Sequence, residues 1–106
     1  MRPYAALPLI FPVLMLAIAA AADPVVVSQR AREFEPRDVA VKVGEPVLFR
    51  NDDNIVHNVY SATPGHAFDL KGQPPGAQAS VSFDAAGLVD VRCAIHPKMR
   101  LSVRVE

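Results

Sequence analysis

The chain has 106 residues, a formal net charge of zero, one cysteine and three histidines. That length allows one domain at most, and the charge balance argues against a nucleic-acid partner or an anionic membrane surface. A single cysteine excludes a disulfide within the chain, which leaves bound metal as the tie available to a small core.

Met1-Arg2-Pro3-Tyr4 carries one positive side chain, Ala5 to Ala19 is apolar throughout, and Ala20-Ala21-Ala22 offers small residues before Asp23. This is the pattern of a secretory signal peptide over residues 1–22, followed by a mature domain over 23–106. An uncleaved anchor is the rival, because the uncharged run from Pro3 to Ala22 approaches spanning length. Pro8 and Pro12 disfavour the helix it would need. The expectation is an exported, periplasmic or similarly placed protein with no stable membrane insertion once the signal is cleaved. The mature 84 residues keep 10 Lys and Arg against 11 Asp and Glu.

Beyond the signal the apolar period is two, not 3.6. Val25, Val27 and Gln29 begin a strand, Arg30 to Glu35 is polar apart from Phe34, and Pro36 ends any extension. Val39, Val41 and Val43 alternate on one face, Gly44-Glu45-Pro46 turns, and Val47 and Phe49 form the next inward pair. The short connection between these two runs reads as a hairpin. Asn51-Asp52-Asp53-Asn54 is a turn cluster, and Ile55 to Ser61 is again strand-like. Phe68-Asp69-Leu70 is a short extended piece, and Lys71 to Gly76 reads as a flexible surface loop. Ala79 to Phe83 alternates, Asp84-Ala85-Ala86-Gly87 turns, Leu88 to Cys93 is a strand, and Leu101, Val103 and Val105 mark the last one. About seven short strands with close turn signals and no helix predict an all-β fold, an antiparallel Greek-key β-sandwich.

The chemistry concentrates at Cys93, His96 and Met99, spaced by three. In an exported protein a lone cysteine is an intermolecular partner, a reactive thiol or a ligand. Thiolate, imidazole and thioether form a soft set that selects copper. Fully extended, Cys93 and Met99 would stand roughly 20 Å apart, so both reach one ion only if the segment folds back, as Pro97 favours. Loops of a sandwich gather at its ends, and His57 opens a strand while Cys93 closes another. Two imidazoles and a thiolate with a weak axial thioether make the trigonal geometry of a type 1, or blue-copper, electron-transfer site. His66 lies outside this set. It reads as a solvated loop histidine, with a second, weaker copper contact as the alternative.

The sequence resembles the cupredoxins, and among them the small plastocyanin and amicyanin type. The likeness rests on Phe34 with Pro36, Val41-Lys42-Val43-Gly44-Glu45, Phe49 with Asn51-Asp52-Asp53, His57-Asn58-Val59, Phe83-Asp84 with Gly87, and Cys93-Ala94-Ile95-His96-Pro97-Lys98-Met99. It covers nearly all of the mature chain in order, and the short His96-to-Met99 spacing is most like amicyanin. The resemblance implies one copper ion held by His57, Cys93 and His96 with Met99 axial. It also implies that Asn58 hydrogen-bonds to the cysteine loop. His96 would be the exposed ligand in an apolar patch, to which Ile95 and Pro97 contribute and on which protein redox partners dock. The expected function is a soluble, monomeric one-electron carrier cycling Cu(II) and Cu(I), and not an enzyme. An exported protein that buffers or delivers copper is the alternative, and a thiol hydrolase using Cys93, a histidine and Asn58 is a third reading that would require an oxyanion hole and a cleft.

Overall fold

The computed structural model describes residues 2–16 and 23–106. The end of the apolar run and the expected cleavage site, residues 17–22, lie outside them. Residues 2–16 are exposed and carry no regular secondary structure. No helix among the described residues is long and apolar enough to cross a membrane.

Nine strands make up the described part of the chain: β1 (Val25–Arg30), β2 (Glu33–Glu35), β3 (Asp38–Val41), β4 (Val47–Asn51), β5 (His57–Ser61), β6 (Phe68–Gln73), β7 (Gln78–Val81), β8 (Gly87–Arg92) and β9 (Arg100–Val105). They form two sheets, ordered β2-β1-β4-β7 and β3-β9-β8-β5-β6. Alternation places Val27, Val47 and Phe49 of the first sheet and Val59, Val89, Val91, Leu101 and Val103 of the second in one buried core. Burying each such side chain is worth roughly 1.5–3 kcal/mol, and this common core makes the two sheets a sandwich.

Three expectations need correction. First, each sheet contains a parallel pair, β1 with β4 and β3 with β9, so the sandwich is mixed and not purely antiparallel. Period-two patterning decides which residues face inward, but it says nothing about strand direction.

Second, β3 and β4 are not a hairpin. β3 pairs with β9 and β4 lies between β1 and β7, so the turn at Gly44 (φ 84°) carries the chain from one sheet to the other. β3 stops at Val41, and Val43 is left 46% exposed. Sheets pack only about 10 Å apart, so a short connection serves either route.

Third, Lys71 to Gln73 belong to β6 and are not a loop. The β5–β6 register shifts between Asn58 and Tyr60, and Lys71 takes φ 61°. This irregularity disguises the strand in the sequence. Gln73 is buried, and its Oε1 accepts a hydrogen bond from Gln29 Nε2 at 2.8 Å, joining the two sheets.

β5 begins where β8 ends. Their antiparallel register, Tyr60 opposite Arg92 and Ser61 opposite Val91, brings His57 and Cys93 to the same pole.

Candidate metal centre

Where β5 and β8 diverge, the first residue of one and the residue just past the other are tied by Asn58. Its backbone N–H donates to Cys93 Sγ at 3.3 Å, and its side-chain Oδ1 accepts from Ala94 N–H at 3.0 Å. Its Nδ2 donates to Asp69 Oδ1 at 2.8 Å and to the Lys71 carbonyl at 3.0 Å. One amide thus joins β5, β6 and the segment after β8, as the resemblance implied and with β6 in addition. The segment folds back tightly, because Met99 N–H donates to the His96 carbonyl at 3.0 Å.

That fold-back brings three of the four expected ligands together. His57 Nδ1 lies 3.2 Å from His96 Nδ1, and Cys93 Sγ lies 3.9 Å from His96 Nδ1. The three donor atoms all lie within 4.8 Å of one another. His57 is fully buried, Cys93 is 1% exposed, and His96 is partly exposed. Met99 is also 1% exposed, packed in the core at the foot of the loop.

Asp53 fixes which nitrogen of His57 faces inward. Its Oδ2 lies 2.9 Å from His57 Nε2, so Nε2–H donates to the carboxylate and Nδ1 keeps its lone pair. Asp53 is set in place by an Asx turn, its N–H donating to Asn51 Oδ1 at 2.9 Å. Its carboxyl is held down at about 2, first by the hydrogen bond from His57 and then by the Arg32 N–H at 3.1 Å. Burial pushes His96 below the ordinary imidazole value, and the neighbouring His57 adds to the effect. The His96 imidazole is therefore favoured as a neutral base. Lone-pair donors this close repel one another unless a cation lies among them, so the donor set fits a soft, thiophilic metal such as copper.

Asp53 was missed as a functional residue, because Asn51 to Asn54 read as a turn cluster only. The available signal was a carboxylate four residues before a candidate ligand histidine. Of the residues expected to form an apolar rim, Ile95 is 51% exposed and Pro97 is exposed, one on each side of His96 in the chain, and Val56, 47% exposed, precedes His57.

His66 is a loop residue, as expected, but its ring is held by the chain rather than free in solvent. It lies at the opposite pole, partly buried, with Nε2 2.8 Å from the Ala85 carbonyl and Nδ1 3.3 Å from the Pro64 carbonyl. Its ring packs on Phe83 with centroids 5.9 Å apart. It ties the β5–β6 loop to the β7–β8 turn, and neither nitrogen faces the metal centre. Of the residues in the hydrolase reading, the Cys93 thiol is buried and the Asn58 amide is engaged in structural bonds.

Residues 21–106 match the family of copper binding proteins of the plastocyanin/azurin type. The chain is 35% identical over 98 residues to methylamine utilization protein MauL of Methylorubrum extorquens, covering 92% of this chain and 86% of the relative. It is 36% identical over 95 residues to amicyanin of Paracoccus denitrificans, covering 85% and 72% of the two chains. Among solved structures, a methionine-to-alanine mutant of amicyanin in its Cu(I) form superposes with a TM-score of 0.73 at 30% identity. That match covers 81% of this chain and 86% of the other.

Proposed function

The chain belongs to the plastocyanin/azurin family of copper-binding proteins, and from that membership we propose that it is a one-electron carrier with a single type 1 copper. His57 Nδ1, Cys93 Sγ and His96 Nδ1 are the strong ligands in this reading, and Met99 supplies the weak axial thioether. The observation that carries it is the convergence of those three donors within 4.8 Å, with the His57 tautomer already set by Asp53.

Bound copper would supply the change of valence. The chain's own residues supply rigidity. Asn58 clamps the thiol loop, Asp53 holds the buried imidazole, and the core packs around Cys93 and Met99, so the ligands move little when the charge changes. His96 offers the one partly exposed ligand edge, and a protein redox partner would dock on the apolar rim around it. The signal pattern over 1–22 supports export, to the periplasm or beyond, of a monomeric domain spanning 23–106. No turnover of a bound substrate is part of this role.

The test is to add Cu(II) to the mature protein and record visible and paramagnetic resonance spectra. Intense thiolate-to-copper absorption that vanishes in Cys93→Ser and persists, altered, in Met99→Ala is expected. A colourless protein that takes up only zinc overturns the reading. Ligands this deeply buried favour a fixed ion over an exchanging one. Rapid copper loss to a chelator combined with slow electron self-exchange would instead indicate copper buffering or delivery.

A further inference from the structure

Formal charge balances over the whole chain, but not over its surface. Beside Met99, between the β1–β2 turn and the Cys93–Met99 loop, a surface cavity of about 340 Å³ is lined by Arg32, Glu33, Arg37, Lys98 and Arg100, among others. Four cations face one carboxylate there. Glu33 is already engaged by Arg37 at 2.7 Å. Among the described residues, Arg32, Lys98 and Arg100 form no ion pair. At the same pole Asp52 is paired with Arg50, and Asp53 keeps its charge while its Oδ2 accepts from the His57 ring and from the Arg32 N–H. At the far pole Asp23 and Glu45 line one cavity, and the Gly44 N–H to Phe83 carbonyl bond brings the Asp84 turn alongside. Lys42 lies at that far pole as well, beside Glu45, so the imbalance is the cluster of cations without an ion pair, Arg32, Lys98 and Arg100, at the metal end.

A second observation concerns the backbone. Arg30 pairs with Glu33, so Ala31 and Arg32 form a two-residue hairpin turn, with φ of 51° and 57°. Asn-Gly suits that geometry, whereas Ala and Arg are held there with strain. A conformationally unfavourable arginine next to a candidate site is a pointer to function.

We propose that the basic surface formed by Arg32, Lys98 and Arg100 docks a protein redox partner through clustered carboxylates on that partner. The proposal rests on the electron-carrier reading and names the chemistry of the partner. Lys98 lies between His96 and Met99 in the ligand loop, so a partner held by its carboxylates meets the His96 edge. Attraction of this kind acts mainly on the association rate and weakens as salt screens it.

The test uses the Cu(I)-loaded protein and two one-electron oxidants, anionic ferricyanide and cationic tris(phenanthroline)cobalt(III). Each takes one electron, leaving Cu(II) with ferrocyanide or with cobalt(II). Raising ionic strength from ~0.01 M to ~0.15 M shortens the screening length from about 30 Å to about 8 Å. Over that range the ferricyanide rate constant should fall about tenfold, within the range of steering effects, and the cobalt rate should not fall. The triple variant Arg32→Gln, Lys98→Gln, Arg100→Gln should lose most of that slope. An oligo-glutamate peptide should slow ferricyanide oxidation of the unmodified protein and shift the amide resonances of Arg32, Lys98 and Arg100 in its diamagnetic Cu(I) form. Equal salt slopes for the two oxidants, or peptide shifts elsewhere on the surface, overturn the proposal. Inhibition by inorganic phosphate as strong as by the peptide also overturns it, because the cavity would then be a small-anion site. If neither oxidant reacts, the carrier reading fails, and the peptide shifts still decide whether this surface binds carboxylates.

Discussion

Asp53 Oδ2 and His57 Nε2 lie 2.9 Å apart, so a carboxylate four residues upstream holds the buried imidazole from behind. Partners of this kind set ligand orientation and basicity, and removing one typically costs 10–100-fold in metal affinity. Asp53→Ala should weaken copper binding by about that factor in competition with a chelator. Asp53→Asn keeps an acceptor without the charge and should cost less. Unchanged affinity in Asp53→Ala would show that the imidazole is held by packing alone.

Acid should unfold the metal-free protein in a definite window. Asp53 is depressed to about 2, chiefly by His57. Asp52 is lowered by the Ser28 hydroxyl and then by Arg50, and Asp69 by the Lys71 N–H and then by Asn58. A carboxyl depressed in the folded state contributes stability that is complete above its unfolded value, 3.8 for these groups, and is lost as pH falls through the folded value. Urea midpoints should therefore drop most between about pH 4 and pH 2. In Asp53→Asn that drop should be shallower, and an identical pH profile would show that the His57 contact carries no linkage.

The ligand loop was legible because its information is local. Cys93, His96 and Met99 lie within seven residues, and Pro97 hints at the fold-back. His57 could be found because it opens an alternating strand. The partnership of strands was not legible, since Val39, Val41 and Val47 report only burial, and β3 turned out to lie beside β9. β2 is three residues long, with Phe34 alone between Glu33 and Glu35, too short for a period. The cations at the metal end come from two separate segments, so only the folded chain assembles them.

Asn58→Ala removes a side chain that makes three hydrogen bonds to two other segments, β6 and the stretch after β8. Each such bond is worth about 0.5–1.5 kcal/mol net, with a further penalty for partners left unsatisfied. The metal-free protein should lose about 2–4 kcal/mol in denaturant unfolding. Copper should also dissociate faster, because the thiol loop would be released from β6. A loss below about 1 kcal/mol would mean that water replaces the amide at little cost.

Protonation of His96 should raise the reduction potential in acid. In the proposed site the neutral ring is the ligand, so proton capture by His96 would compete with Cu(I) more than with Cu(II). Burial and the neighbouring His57 lower this imidazole from its ordinary 6.5, so the rise should begin below that pH. A single proton coupled to a single electron gives a slope of at most about 59 mV per pH unit. A potential flat down to about pH 4 would mean that His96 is shielded or is not a ligand.

The β1–β2 turn separates stability from docking. Ala31 and Arg32 both occupy the left-handed region, at φ 51° and 57°, where residues other than glycine or asparagine are held at roughly 1–2 kcal/mol each. Replacing the pair by Asn-Gly satisfies the turn, while glycine's freedom in the unfolded chain offsets part of the gain. The double variant should be more stable by about 1 kcal/mol and should keep its copper spectrum, because both side chains are exposed and neither is a ligand. It also removes the Arg32 cation, so its reaction with ferricyanide should be slower at low salt than that of the parent protein. Higher stability with an unchanged low-salt rate would leave Arg32 without an electrostatic role. Lower stability would mean that the arginine side chain makes contacts that outweigh the strain.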